Sequence, residues 1–345
     1  MDFHEGLLNH LSEVFLERKL WLDNVRSLAC IMVVIVHVTV LYKGEFGRID
    51  NFSWYITTSL DSISRMCVPL FFMVSGFLFL HCKEVKTKNI VRVFTALTFY
   101  SLLASLYYSV FSNHDLLESM FSIYKKPEMY HLWFFFYLFT FYMIFKIVTI
   151  RDISNKTIIL IIVALFTIFN YKLNDVFSLF GMTFENGFYI RSDYANNFLY
   201  CIAGAVIGRA DYYKGNAILL FCLSILSVFF TILFTVIKSR EIGRFDAIFQ
   251  TYTSIPVFFS AVTMFAFIKN VNFPAKIQKI SSFIAVNSLS IYGVHAIYLE
   301  IIRKKHLYII DIPVVNLFIT FSIVMILSVI TSIMIRKVDK NNYVS

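Results

Sequence analysis

Residues 22–42 read LDNVRSLACIMVVIVHVTVLY, and after Arg26 no Asp, Glu, Lys or Arg appears until Lys43. The run is apolar on every face and is about 20 residues long, which is the length a helix needs to cross a hydrocarbon core of roughly 30 Å. A barrel strand would need only about 10 residues and would alternate apolar with polar side chains. Backbone groups in lipid must be bonded within their own segment, so the stretch is expected to be a membrane-spanning helix. Nine more apolar runs follow, over 57–81, 90–111, 130–149, 157–170, 195–211, 216–237, 247–269, 281–303 and 312–335, the fifth and sixth of the ten being the shortest. Composition agrees: of 345 residues 58% are hydrophobic and only 15% charged, a balance that does not suit a water-exposed surface. With 11 Gly, 5 Pro and no low-complexity segment, a disordered or collagenous chain is excluded. The expected fold is all-α: a polytopic membrane protein of about ten transmembrane helices around a central cavity, with no soluble domain. Its units are an amphipathic cytoplasmic segment over 1–21, the membrane domain over 22–336 and a short cytoplasmic tail over 337–345.

The net charge of +9 raises nucleic acid as a partner. The cations sit in short loops between apolar runs and form no stripe, so the charge is read as orienting the chain, and no nucleic acid is expected. An even number of spans puts both termini on one side. Lys and Arg number 18 in the segments on that side and 12 in the alternate loops, and Lys83, Lys86, Lys88 and Arg92 form a tight cluster. The positive-inside rule then places both termini in the cytoplasm. Loops 112–129 and 171–194 face outward, and their Tyr171, Asn174, Asn186 and Tyr189 could meet a sugar or simply be solvated. Leu7, Leu8, Leu11, Val14 and Phe15 recur at helical spacing, as in a helix lying on the inner membrane surface. Asp2, Glu5, Glu13 and Glu17 argue against a cleavable signal. The five cysteines show no CxxC pair and no histidine at metal-ligand spacing, so they read as packing residues and no metal is expected. Gly204 and Gly208 form a small-xxx-small pair suited to close helix contact.

Ionisable side chains inside spans cost about 2.5–3.5 kcal/mol each at the helix centre and call for an explanation. In the first span Arg26 and His37 are eleven residues apart. Eleven steps of about 100° come within about 20° of three full turns, so the two share a face, separated by roughly 16 Å along the axis. Arg26 then sits at the cytoplasmic interface and His37 near the midplane. That suits a long ligand with an anionic head at Arg26 and a neutral arm reaching His37; a snorkelling Arg and a hydrogen-bonded core His give the same pattern. In the second span Asp61 and Arg65 stand at i, i+4, which favours a pair, Pro69 frees a carbonyl near Arg65, and Ser75 with Gly76 makes a thin polar surface. YHLWFFF over 130–136 places His131 and Trp133 at a span end, and SLSIYGVH over 288–295 puts Tyr292 and His295 within one turn. Interface anchoring and a Tyr–His hydrogen bond explain these as well, although a second intramembrane His is expected to line a polar cavity.

Together the strings WLDNVRSLACIMVVIVHV, SRMCVPLFFMVSGFLF, YHLWFFF and SLSIYGVH, in this order over nearly the whole chain, resemble the acyltransferase-3 family of integral membrane acyltransferases. Within it the likeness is greatest to bacterial inner-membrane O-acetyltransferases that modify surface polysaccharides. The family's Arg-x10-His motif falls on Arg26 and His37. The resemblance implies an acyltransferase, of the class transferring groups other than aminoacyl groups, that moves acetyl from cytoplasmic acetyl-CoA to a hydroxyl of a lipid-linked glycan or surface polysaccharide. It implies His37 as catalyst, either as general base or as acyl carrier, and Arg26 and Arg65 as holders of CoA phosphates, with Arg65 alternatively at the oxyanion. Asp61, Ser75, His131, Trp133, Tyr292 and His295 are expected to support the cavity, and membrane lipid is the solvent. This reading requires a water-accessible tunnel from Arg26 to His37. A secondary transporter or flippase for an acyl or glycan substrate is the alternative, with the same His and Arg serving as proton relay and anion site.

Overall fold

Residues 20–345, except 113–114, 152, 169, 185–186, 189–191, 210–215 and 306–311, are described by a computed structural model. The surface helix expected around Leu7–Phe15 lies outside these residues, as do Asn186 and Tyr189. The first span is helix α1, Leu20–Lys43. The second is broken into α2, Asn51–Ser64, and α3, Cys67–Phe77, with a π turn over Leu78–Cys82. Pro69 accounts for the break: it has no N–H for the main-chain oxygen of Arg65, and the ladder resumes with Leu70 N–H to Met66 O at 3.0 Å. Asp50 starts α2 by accepting the Ser53 N–H at 2.8 Å.

Next come α4, Thr87–Ser112, the short α5, Leu116–Ser122, and a 3₁₀ turn, Tyr130–Leu132, that leads into α6, Trp133–Ile147. Helices α7, Asn155–Ile168, α8, Leu173–Ser178, α9, Asp193–Arg209, and α10, Ala217–Ile242, follow. The last are α11, Ile255–Asn270, α12, Ala275–Lys304, and α13, Pro313–Val338. Among the described residues there is no strand.

Among the described residues each of the ten apolar runs is largely helical, but eight helical segments have the length and composition of a full crossing, against the ten expected. The exceptions are α7 and α9, with 14 and 17 residues. At about 1.5 Å per residue they extend roughly 21 and 25 Å, short of a 30 Å core. Burial separates inner from outer helices. Only 17% of the apolar window of α10 and 22% of that of α13 is buried, so both turn most of their apolar surface outward, as lipid-facing helices do.

Two contacts position the site. Helices α1 and α12 run parallel, tied by Asn24 to Gln278 at 3.0 Å and by the Ser282 hydroxyl to Asp23 at 2.8 Å. Helices α3 and α9 meet backbone to backbone. A Cβ on Gly76 would overlap the main chain of Cys201, and one on Gly204 would overlap that of Met73. Gly208 gives the same room to the Phe77 ring. Small residues let helices approach in lipid, where dispersion contacts take over from the hydrophobic effect.

Candidate active site

Three imidazoles meet in the interior. α1 carries His37, the 3₁₀ turn before α6 carries His131, and α12 carries His295. Ring centroids are 5.1 Å apart for His37 and His295, 6.3 Å for His37 and His131, and 5.0 Å for His131 and His295. A carbonyl only accepts, so the bond partners assign the tautomers of two rings. His295 Nδ1–H donates to the main-chain oxygen of Tyr292 at 2.7 Å, and His131 Nε2–H donates to that of Gly293 at 3.3 Å. The other nitrogen of each, Nε2 of His295 and Nδ1 of His131, is buried with no hydrogen-bond partner among the described residues. The neighbourhood of His37 thus holds two lone pairs able to take a proton. Among the described residues no group of three or more His, Cys, Asp or Glu is arranged to hold a metal ion.

Toward the Arg26 end of α1 lies a cavity of about 450 Å³, within the range of small-molecule sites. Arg26, Lys83, Arg92 and Arg336 line it, with Ser75, Phe134 and Tyr292 among its other walls. Burial, and then the Arg26 guanidinium, pushes the Lys83 ammonium below the ordinary lysine range, the mark of crowded cations that an anion would relieve. The chain's last described residues form one wall. Arg92 donates to the main-chain oxygen of Ser345 at 2.6 Å and Tyr100 to that of Val344 at 2.5 Å. Asp339 gathers the N–H groups of Tyr343, Val344 and Ser345 at 3.0, 2.7 and 2.8 Å.

Tyr292 separates cavity and imidazoles. Its ring packs against Phe134 and Phe135 at 5.5 and 5.4 Å on the cavity side and against His131 at 5.3 Å on the other. Its hydroxyl donates to the main-chain oxygen of His131. The expected open tunnel is therefore interrupted: Arg26, Ser75 and Tyr292 line the cavity, while His37, His131 and His295 do not. The reason is local packing: the Tyr292 ring fills the space between Phe134, Phe135 and His131.

Arg65 belongs to a different group from Arg26. Its Nε and Nη2 bind Asp61 Oδ2 at 2.9 and 2.6 Å, while Lys43 Nζ and the Thr39 hydroxyl bind Oδ1 at 3.0 and 2.8 Å. Asp61 is fully buried, so both cations are needed to offset its desolvation. Arg65 also lies 6.0 Å from the centre of the Tyr252 ring, and Trp133 stacks near the same ring at 5.8 Å. Neither Arg65 nor Trp133 reaches the cationic cavity. Lys43, six residues beyond His37, and the rim of Lys83, Arg92 and Arg336 were not predicted as site residues. For Lys83 and Arg92 the signal in the sequence is the dense cation cluster at 83–92, which topology alone also explains; Lys43 and Arg336 lie outside it. Tyr130, 5.0 Å from His37, gave no signal beyond an aromatic at a span end.

In comparison with known proteins, the acyltransferase domain family matches residues 19–337. No curated protein and no solved structure matches the chain.

Proposed function

The chain belongs to the acyltransferase-3 family, and on that premise we propose that it is a transmembrane O-acetyltransferase using cytoplasmic acetyl-CoA. The proposed acceptor is a hydroxyl of a lipid-linked glycan or surface polysaccharide, on the proposal that within the family the chain is most like the enterobacterial common antigen O-acetyltransferase. The observation that carries this reading is the placement of one helix, α1, with Arg26 on a four-cation cavity and His37 in the three-imidazole cluster. CoA has phosphates at one end and a thioester at the end of a flexible arm. Arg26, Lys83, Arg92 and Arg336 suit the phosphates, and the apolar wall of Phe71, Leu78 and Phe134 suits the arm.

In the reaction His37 takes the proton of the acceptor hydroxyl as its oxygen attacks the thioester carbonyl carbon. The tetrahedral intermediate collapses with loss of the C–S bond, and the proton passes from His37 to the departing thiolate. His131 and His295 stand beside the His37 ring and keep the site polar. Lys43 and Arg65 both act electrostatically on His37. They supply a fixed positive field near the developing oxyanion rather than a phosphate clamp. Tyr292 must swing aside for the thioester to reach the imidazoles. The protein then sits in the bacterial inner membrane with both termini and the Arg26 mouth cytoplasmic.

The test is structural analysis of surface glycans from a deletion strain complemented with wild type or with His37→Ala. Restoration of one O-acetyl group by wild type alone is the expected result. Full restoration by His37→Ala removes the proposed catalyst, and His37-dependent uptake of substrate without any acyl transfer favours a transporter.

A further inference from the structure

We propose that the Lys43 end of the bundle carries a sugar-binding subsite, built from Tyr107, Tyr108, Tyr130, Glu300, Arg303 and Lys304, that presents a neutral pyranose ring of the acceptor to His37. It rests on the acetyltransferase reading for its purpose, but its residues are placed independently of the donor cavity. Tyr130 is the link: its ring lies 5.0 Å from that of His37, yet the residue is 44% exposed. One face of a single aromatic side chain therefore touches the proposed base while another part meets the outside.

The rest of the cluster gathers around it. Because α12 runs parallel to α1, the residues after His295 rise past the imidazoles toward the Lys43 end. Glu300 is five residues on and Lys304 nine, roughly 8 and 14 Å further along the axis. Glu300 is buried, and its Oε2 accepts from Arg303 Nη2 at 2.7 Å while the Arg303 side chain is 54% exposed. Glu300, Arg303 and Tyr108 are all within electrostatic reach of Tyr130. Lys304 Nζ sits 5.6 Å from the centres of both the Tyr107 and Tyr108 rings and also binds the Ser112 hydroxyl. Helices α4 and α12 and the turn before α6 thus converge on one aromatic and charged patch.

The chemistry of the patch selects its ligand. A pyranose ring has an apolar C–H face and a rim of hydroxyls, which need an aromatic surface beside groups that both donate and accept. Tyrosines supply the surface and retain a polar tip. A carboxylate with two oxygens, one of them on Arg303, has capacity left for a hydroxyl donor, and the guanidinium donates in turn. Glu300 is paired with Arg303, and Lys304 lies over the Tyr107 and Tyr108 rings, so each charge of the patch already has a partner and a neutral ring suits it. His37 then receives the hydroxyl from the side opposite the donor cavity.

The experiment uses the full chain in detergent without donor. Binding of methyl glycosides of glucose, galactose, mannose and N-acetylglucosamine is measured by saturation-transfer NMR, with thiol release from acetyl-CoA followed separately. We expect wild type to bind at least one glycoside, Glu300→Gln and Tyr130→Ala to bind it at least tenfold more weakly, and Tyr130→Phe, which keeps the ring, to bind within about threefold of wild type. Unchanged binding in Glu300→Gln and Tyr130→Ala, or no binding of any of the four by wild type, overturns the subsite. Sugar binding without thiol release supports the subsite and counts against the acetyltransferase reading alone.

Discussion

His37 stands among groups that have no alternative use for it: two imidazoles that spend one nitrogen each on the main chain, and two cations already shared by Asp61. If it is the base, His37→Ala lowers acetyl transfer by about 100-fold or more, the usual range for a removed general base, without changing the melting temperature by more than a few degrees. Equal activity in the variant, measured as product per unit of folded protein, contradicts the assignment. Asp61 predicts the opposite profile. Asp61→Ala leaves Lys43 and Arg65 with no buried partner and is expected to cost about 3–5 kcal/mol of stability, read as a large drop in thermal unfolding temperature; an unshifted midpoint shows that the two cations find other partners. Lys83 gives a pH signature. Burial and Arg26 hold its ammonium below the ordinary lysine range, so as pH rises it loses its charge earlier than a free lysine does. Donor affinity follows: the KM for acetyl-CoA should climb over that alkaline window in wild type and stay flatter in Lys83→Arg. Parallel profiles for the two proteins place the phosphates elsewhere.

Helices α3 and α9 are held at a separation that only glycine permits. Gly204→Ala drives a methyl into the Met73 main chain and is expected to cost about 1–3 kcal/mol. At Gly44, with nothing within 4 Å, the same change should stay within about 0.5 kcal/mol. Comparable unfolding midpoints for the two variants refute the close-contact account. That contact was legible in the sequence as Gly204 and Gly208 at i, i+4, and so was the break at Arg65, because Pro69 removes a specific donor. What periodicity does not reveal is span length where polar residues bound a helix: α7 and α9 have apolar runs but too few residues for a full crossing. On α12, Tyr292 divides donor cavity from imidazoles by packing, which no spacing in SLSIYGVH discloses. Tyr292→Ala should join the two spaces and admit water to the thioester, raising acetyl-CoA hydrolysis relative to transfer; an unchanged ratio by thiol release and product mass shows that Tyr292 is no barrier.

Across the whole molecule, the common face of Arg26 and His37 follows from helical geometry alone, so the axis of the site was readable from α1. The partners of His37 were not, since His131 and His295 reach it from segments about 90 and 260 residues away in sequence and only the fold places them. The reassignment of Arg65 has the same origin: the i, i+4 pair with Asp61 was visible, but Lys43, which turns the pair into a closed cluster, comes from another helix. The central claim is directional, with donor at the Arg26 mouth, hydroxyl at the Lys43 end and His37 between them. The direct measurement uses proteoliposomes in which the inserted protein has been sorted by the orientation of a label on Lys276→Cys, an exposed position at the same end of the bundle but outside the cavity, with acetyl-CoA on one side and a sugar acceptor on the other. Acetylated sugar should form when acetyl-CoA faces the Arg26 mouth, be lost in His37→Ala, and fail to form when donor and acceptor compartments are exchanged. Equal product from both arrangements, or product that survives His37→Ala, contradicts the account.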